Sequence, residues 1–338
     1  MTDLGTPRFG LHPLHGVHLP TTGNPLRRPG SARRTTSIDM TRDVGSLDPV
    51  YLNGRARDIW TDEDGEVSEF GAAGLSATIE LIARVVRHVE VTPPVAAISH
   101  LSGAPAMSGF RAAADTAAPE LRATRDLRYT LLDDVPVATL ISGHALSASG
   151  LLGDVGKSGY LPVADQCAGF ATGGLLMNSF EAGDPVIVTG PEAPDLDHGD
   201  DPLAWHPVVR LPPQAMRRRR RIDAFSVGTG RIGIDAMFRD TYVRTDGVET
   251  IIHEYTLSAT VDADSGLIVD SSATPRVLPW QECPGAVASA ERITGMTLRE
   301  LHFRVRQELF GTTTCTHLND LLRSVADAEA LIDRVRGG

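Results

Sequence analysis

Leu75-Ser-Ala-Thr-Ile-Glu80 and Leu257-Ser-Ala-Thr-Val-Asp262 are nearly the same six residues, written twice in one chain. Outward from them, other positions answer each other in the same order. Arg33-Arg34 with Ile38-Asp39 answers Arg220-Arg221-Ile222-Asp223, Thr92-Pro93 answers Thr274-Pro275, and Glu120-Leu121 answers Glu300-Leu301. A self-similar layout of this kind predicts an internal duplication.

Each half starts with segments that alternate or run apolar as strands do. In the first half they are Ser37–Thr41, Val50–Trp60, Leu75–Ala83 and Val85–Val91, with a hairpin turn at Thr61–Gly65. In the second they are Ile222–Val227, Arg231–Val243, Val248–Val261 and Gly266–Ala273. Arg244-Thr-Asp246-Gly247 and Asp262-Ala-Asp264-Ser-Gly266 supply the turns, with glycine free to take a positive φ. Three helical patterns then follow in each half: Ala106–Ala117, Glu120–Leu132 and Val137–Leu152, against Gly285–Thr294, Thr297–Phe310 and Thr316–Val335. The expected fold is α+β: two similar units, each an antiparallel sheet packed by about three helices. We divide the chain into an extended arm (1–36), a first unit (37–152), an irregular connector (153–216) and a second unit (217–338). The connector has one short helix expected near Gln166–Phe180. Connectors this long are uncommon unless functional or wrapped over a neighbour.

Composition narrows the function. At 338 residues, with 41% hydrophobic and 22% charged residues, the chain is an ordinary globular one. A net charge of -11 argues against general affinity for nucleic acid. No apolar run reaches the roughly 20 residues of a membrane span. Met1–Pro20 lacks the apolar core of a secretory leader. Three widely spaced cysteines make no disulfide framework, so a cytoplasmic location with free thiols or metal-ligating thiols is expected. Lys157 is the only lysine.

The densest chemistry lies in Pro279-Trp-Gln-Glu282-Cys283-Pro284 and Gly311-Thr-Thr-Thr-Cys315-Thr-His317-Leu318. Both cysteines fall at predicted helix starts, where unpaired N–H groups and the helix dipole favour thiolate. His317 can ligate a metal or act as base to a thiol. The candidate catalytic set is therefore Cys315, His317, Cys283 and Glu282. The candidate metal set is Cys283, Cys315 and His317, for a divalent metal or iron. Buried cysteines that merely pack are the alternative.

Three more clusters remain two-sided. His12, His15 and His18 form either a draped arm or a metal tract. Cys167 is either a packed thiol or an outside contribution to the site. Asp197-His198-Gly-Asp200-Asp201-Pro-Leu-Ala-Trp205-His206 reads as self-capped turns or as an ion site, with Trp205 and His206 placed at a pocket mouth. The run Arg217–Arg221 opens a strand, so its side chains alternate between faces. They either pair with carboxylates or hold an anionic substrate, Arg220 above all. No Walker loop, Gly-x-Gly-x-x-Gly, His-Glu-x-x-His or Gly-x-Ser-x-Gly is present, which argues against the activities those motifs serve.

The arginine-rich start, Pro279-Trp-Gln-Glu-Cys283-Pro and Cys315-Thr-His-Leu318 resemble, over Arg217–Asp333, a bacterial family known only as a domain of unknown function. The order of strands, a cysteine opening a first helix, the turn Gly295-Met296-Thr297 and a last cysteine opening the final helix is also similar to the NifU/SufU-type iron–sulfur scaffolds. Their strand cysteine has no counterpart here; Arg231–Tyr255 offers Asp235, Asp240 and His253 instead. Two readings result. One is an enzyme, lyase or hydrolase in type, acting on a small carboxylated or aromatic substrate near the seam of the units. The other is a metal or iron–sulfur handling protein without catalysis. The expected partner is a small molecule, with no nucleic acid and no membrane, in a chain that forms a homodimer.

Overall fold

The computed structural model describes residues 16–149, 162–183, 186–196 and 201–337. His12, His15, Asp197, His198 and Asp200 lie outside the described residues.

Eight strands make one antiparallel sheet: β1 (Ser31–Thr41), β2 (Val50–Thr61), β3 (Val67–Glu80), β4 (Val85–Thr92), β5 (Met216–Gly228), β6 (Arg231–Val243), β7 (Glu249–Asp262) and β8 (Ile268–Val277). Their order is β4-β3-β2-β1-β5-β6-β7-β8. Two expected sheets are thus one, joined where β1 and β5 pair from Ser31↔Phe225 to Met40↔Met216. The join also corrects the arm, because Ser31–Thr36 already belongs to β1 and is buried. Arg33 and Arg34 made this segment read as exposed. Each is instead neutralised across the sheet, Arg33 by Asp223 at 2.6 Å and Arg34 by Asp58 at 2.8 Å.

Helices cover one face. They are α1 (Phe110–Ala117), α2 (Pro119–Ala123), α3 (Leu127–Ala148), α4 (Leu175–Ala182), α5 (Leu301–Glu308), α6 (Thr316–Ser324) and α7 (Ala328–Gly337). α3 joins two patterns expected to be separate, carrying Pro136 inside it. It is buried nearly all round and packs on β1, β2 and β3, and that tertiary burial outweighs the proline break. Cys283–Ile293, expected as α-helix, winds as 3₁₀. α7 lies over β1 and β5, so the last helix closes the join.

The opposite face is covered by irregular chain. Arg239 there donates to the carbonyls of Thr21 and Pro194 (both 2.6 Å), and Arg57 donates to Leu203 (2.8 Å). The connector and the end of the arm therefore drape over the sheet. Two apolar cores share the helical face, one centred on β6–β8 and the other on β2–β4. Between them runs a buried ionic belt: Arg218 and Arg220 from β5, Asp133 and Asp134 from α3, Asp320 and Arg323 from α6. No helix among the described residues is long and apolar enough to cross a membrane.

Candidate functional site

The ionic belt ends at a compact cluster. Asp240 lies on β6, His253 on the facing strand β7, and His317 is the second residue of α6. One ligand atom from each falls within 4.8 Å of the other two. β-Pairing sets the first two opposite each other through a bulge. From Val243↔Glu249 to Thr241↔Ile251 the register is regular, and then Asp240 faces His253. Without the extra residue Asp240 would face Ile252, and a histidine would not reach it.

Asp240 is fully buried, and Arg218 Nη1 donates to both its oxygens at 2.7 and 2.9 Å. Burial opposes its charge, but the Arg218 guanidinium and the two imidazoles outweigh burial and hold Asp240 at about 2. It is a carboxylate at any physiological pH. His253 Nδ1 stands 3.6 Å from Asp240 Oδ2, beyond hydrogen-bond reach. The rings of His253 and His317 stack with centroids 3.6 Å apart, and Phe238 backs His317. Burial, aided by His253, lowers His317 to about 3, so it is neutral with a lone pair available.

Two ring nitrogens, His253 Nδ1 and His317 Nε2, are buried without a hydrogen-bond partner. A buried polar atom left unpaired costs about 1–3 kcal/mol. Two imidazoles and one carboxylate form a donor set suited to zinc or another divalent first-row ion, with positions left open. Arg218 supports the carboxylate from behind, as outer-shell partners of ligands do.

The thiols are elsewhere in character. Cys283 (6% exposed) and Cys315 (4%) lie in the apolar core of the β6–β8 half, with buried Cys167 close to Cys315. Cys315 caps α6, and the N–H groups of His317 and Leu318 favour its thiolate, yet burial prevails and pushes the thiol up to about 11. Burial raises Cys283 and Cys167 as well. The expected thiolates are thus corrected to neutral thiols, because dehydration outweighs the helix-terminus effect. Cys167 does reach the second-half core from the connector. The His317 ring stacks on His253.

The remaining expected residues hold the fold. Glu282 Oε1 accepts from the backbone N–H of Leu175 at 2.7 Å, at the start of α4. Arg220 is buried against Asp134. Trp205 is buried beside Leu196 and Met237. His206 bridges Thr35 Oγ1 (2.9 Å) and Ser37 Oγ (2.7 Å) on the draped face. Arg220 thus ties β5 to α3, Glu282 holds the start of α4, and Trp205 and His206 pin the connector to the sheet. His144 sits on the last turns of α3 with its ring edge-on to Tyr242 at 5.2 Å. Burial, then His253, lowers it to about 4. His18 is exposed near β8, pairing with Val277.

Asp240 and His253 were visible as the polar residues of Arg231–Tyr255, but nothing in their spacing joined them to His317. A one-residue bulge decides that contact, and no local residue pattern announces it.

No curated protein matches the chain in sequence. A solved structure titled "Crystal structure of lipopolysaccharide binding protein" overlaps 87% of this chain and 92% of its own, at 8% identity and a TM-score of 0.12, too low to bear on the fold. The likeness to iron–sulfur scaffolds finds no support: burial raises the thiols of Cys283 and Cys315 and leaves them as core residues. Residues 216–331 match the family described as "Protein of unknown function (DUF2889)", a span from the start of β5 into α7 that includes Asp240, His253 and His317.

Proposed function

We propose that the protein binds one divalent transition-metal ion through Asp240, His253 and His317, and uses it as an enzyme on a small organic substrate. The observation that carries this is the convergence of three ligand atoms within 4.8 Å, with His253 Nδ1 and His317 Nε2 buried and unpartnered. Three protein ligands leave coordination positions open, as catalytic rather than structural sites do. Such an ion polarises a carbonyl or activates water, which suits either a lyase or a hydrolase. Metal analysis of the purified protein, followed by zinc titration of chelator-treated protein, tests the reading. One ion per chain is expected in the wild type and less than a tenth of that in His253→Ala and His317→Ala. A wild type that retains no ion and takes up none withdraws it.

The same reading includes two copies of one four-strand unit. Support comes from the bulges, which follow Asp58 on β2 and Asp240 on β6, and again Thr78 on β3 and Thr260 on β7. Arg34–Asp58 and Arg218–Asp240 are ion pairs at matching places in the two meanders. Only the second copy carries the ion site, because Gly71 faces Asp58 where His253 faces Asp240.

A further inference from the structure

A cavity of ≈ 70 Å³ lies where the end of β1 and the loop after it meet the last turns of α3 and residues 212–215. Val44, Ala145, Leu146, Pro212 and Pro213 make its walls largely apolar, and Arg42 is the one cation lining it. Arg42 differs from the other arginines near the sheet join. Arg33, Arg34, Arg217 and Arg218 each hold an aspartate within 2.5–2.8 Å. Arg42 gives one N–H to the Ser142 carbonyl at 2.5 Å, and its Nε is buried with no partner. Among the described residues it makes no ion pair, and Asp48 reaches it only through space. Asp43, the acid of the cavity wall, is engaged by the Tyr51 hydroxyl at 3.1 Å. Burial without a counter-charge lowers Arg42 to about 10, so at neutral pH it is a cation lacking its anion.

We propose that this cavity binds a small monocarboxylate, with the carboxylate on Arg42 and a short apolar body against Ala145, Leu146 and the two prolines. Size sets the class. About 10–15 Å³ of such volume holds one water, so the space takes about five, comparable to a short-chain acid. The chemistry sets the charge: a half-buried guanidinium with a buried, unpartnered Nε is stabilised by a planar carboxylate that two N–H groups can meet. One carboxylate satisfies it, and a second would be left against apolar wall or beside Asp43. The assignment does not rest on the metal, since none of the three ion ligands lines the cavity.

The test uses butyrate and its neutral counterpart butyramide, titrated by ligand-observed NMR against the full chain. Butyrate is expected to bind the wild type at least 10-fold more tightly than butyramide does. Arg42→Gln should weaken butyrate at least 10-fold, while Arg42→Lys keeps part of the affinity. Arg42→Gln removes a charge that makes no ion pair among the described residues and loses at most one hydrogen bond, to the Ser142 carbonyl, so its thermal unfolding temperature should change little, and lost binding cannot then be assigned to lost folding. Failure of butyrate to bind the wild type, equal binding by Arg42→Gln, or equal competition by inorganic phosphate would overturn the proposal.

Discussion

Two corners of the sheet are built from the same pair of residues and do different things. At one, Arg34 on β1 grips Asp58 on β2; at the other, Arg218 on β5 grips Asp240 on β6. A bulge follows each aspartate, so the residue facing it is Gly71 in the first case and His253 in the second. At the first corner Leu127 fills the space over the glycine: a Cβ on Gly71 would meet Leu127 Cδ1 at 3.1 Å. Arg34 finds further partners in the Arg125 carbonyl and Thr130 Oγ1, and the corner is closed. At the second, His253 stands in the place of the glycine and stacks on His317, and each imidazole keeps a buried nitrogen unpaired. The first ion pair is packed into the structure; the second stands beside the two unpaired imidazole nitrogens on which the proposed ion site rests.

The largest expected effect separates the corners by stability. Asp58→Ala strands the buried Arg34 and should cost about 3–5 kcal/mol in denaturant unfolding, while leaving metal stoichiometry at one per folded chain. A change in stoichiometry would show that the corners are not independent. Next, His317→Ala should weaken zinc at least ~100-fold, and because it deletes an unpaired buried nitrogen the metal-free chain should lose no more than about 1 kcal/mol. A variant that binds zinc as the wild type does would erase the distinction between corners.

The draped face supplies a pH effect. Burial, with Arg57 nearby, lowers His206 from 6.5 to about 3 in the folded chain. Between those values the unfolded chain binds the proton and the folded one does not, so this contribution to stability is lost as pH falls below about 6.5. From pH 6.5 to 5 the loss is about 2 kcal/mol, and the pH dependence of the urea midpoint should shrink by one proton in His206→Gln. An unaltered slope would mean that His206 is not the buried neutral bridge between Thr35 and Ser37. The smallest effect is Gly71→Ala, about 1 kcal/mol from crowding Leu127, with no effect on the ion. A neutral or stabilising outcome would show slack in the closed corner.

Much of this was legible in residue order. The strands, their turns at Asp246-Gly247 and Ser265-Gly266, and the repeated Leu-Ser-Ala-Thr segments mark the two meanders, since period-2 patterns and turn chemistry are local properties. The join of β1 to β5 was not legible, because Arg33 and Arg34 look solvated until Asp223 and Asp58 arrive from elsewhere in the chain. α3 was cut at Pro136 for the same reason: burial on all sides, not local preference, carries it through. In the site, sequence pointed to His317 and named Asp240 and His253 only as polar residues on strands. It favoured Cys283 and Cys315 because helix starts lower a thiol pKa. How deeply a cysteine is buried depends on what covers it, and here α6 and the 3₁₀ segment bury both in apolar core.

X-ray absorption at the zinc edge of the zinc-loaded protein tests the central claim most directly, because nitrogen and oxygen ligands lie at about 2.0–2.2 Å and sulfur at about 2.3 Å. The account predicts a first shell of nitrogen and oxygen only, with imidazole scattering from two histidines. A shell containing sulfur would return the site to Cys283 and Cys315 and contradict the assignment to Asp240, His253 and His317.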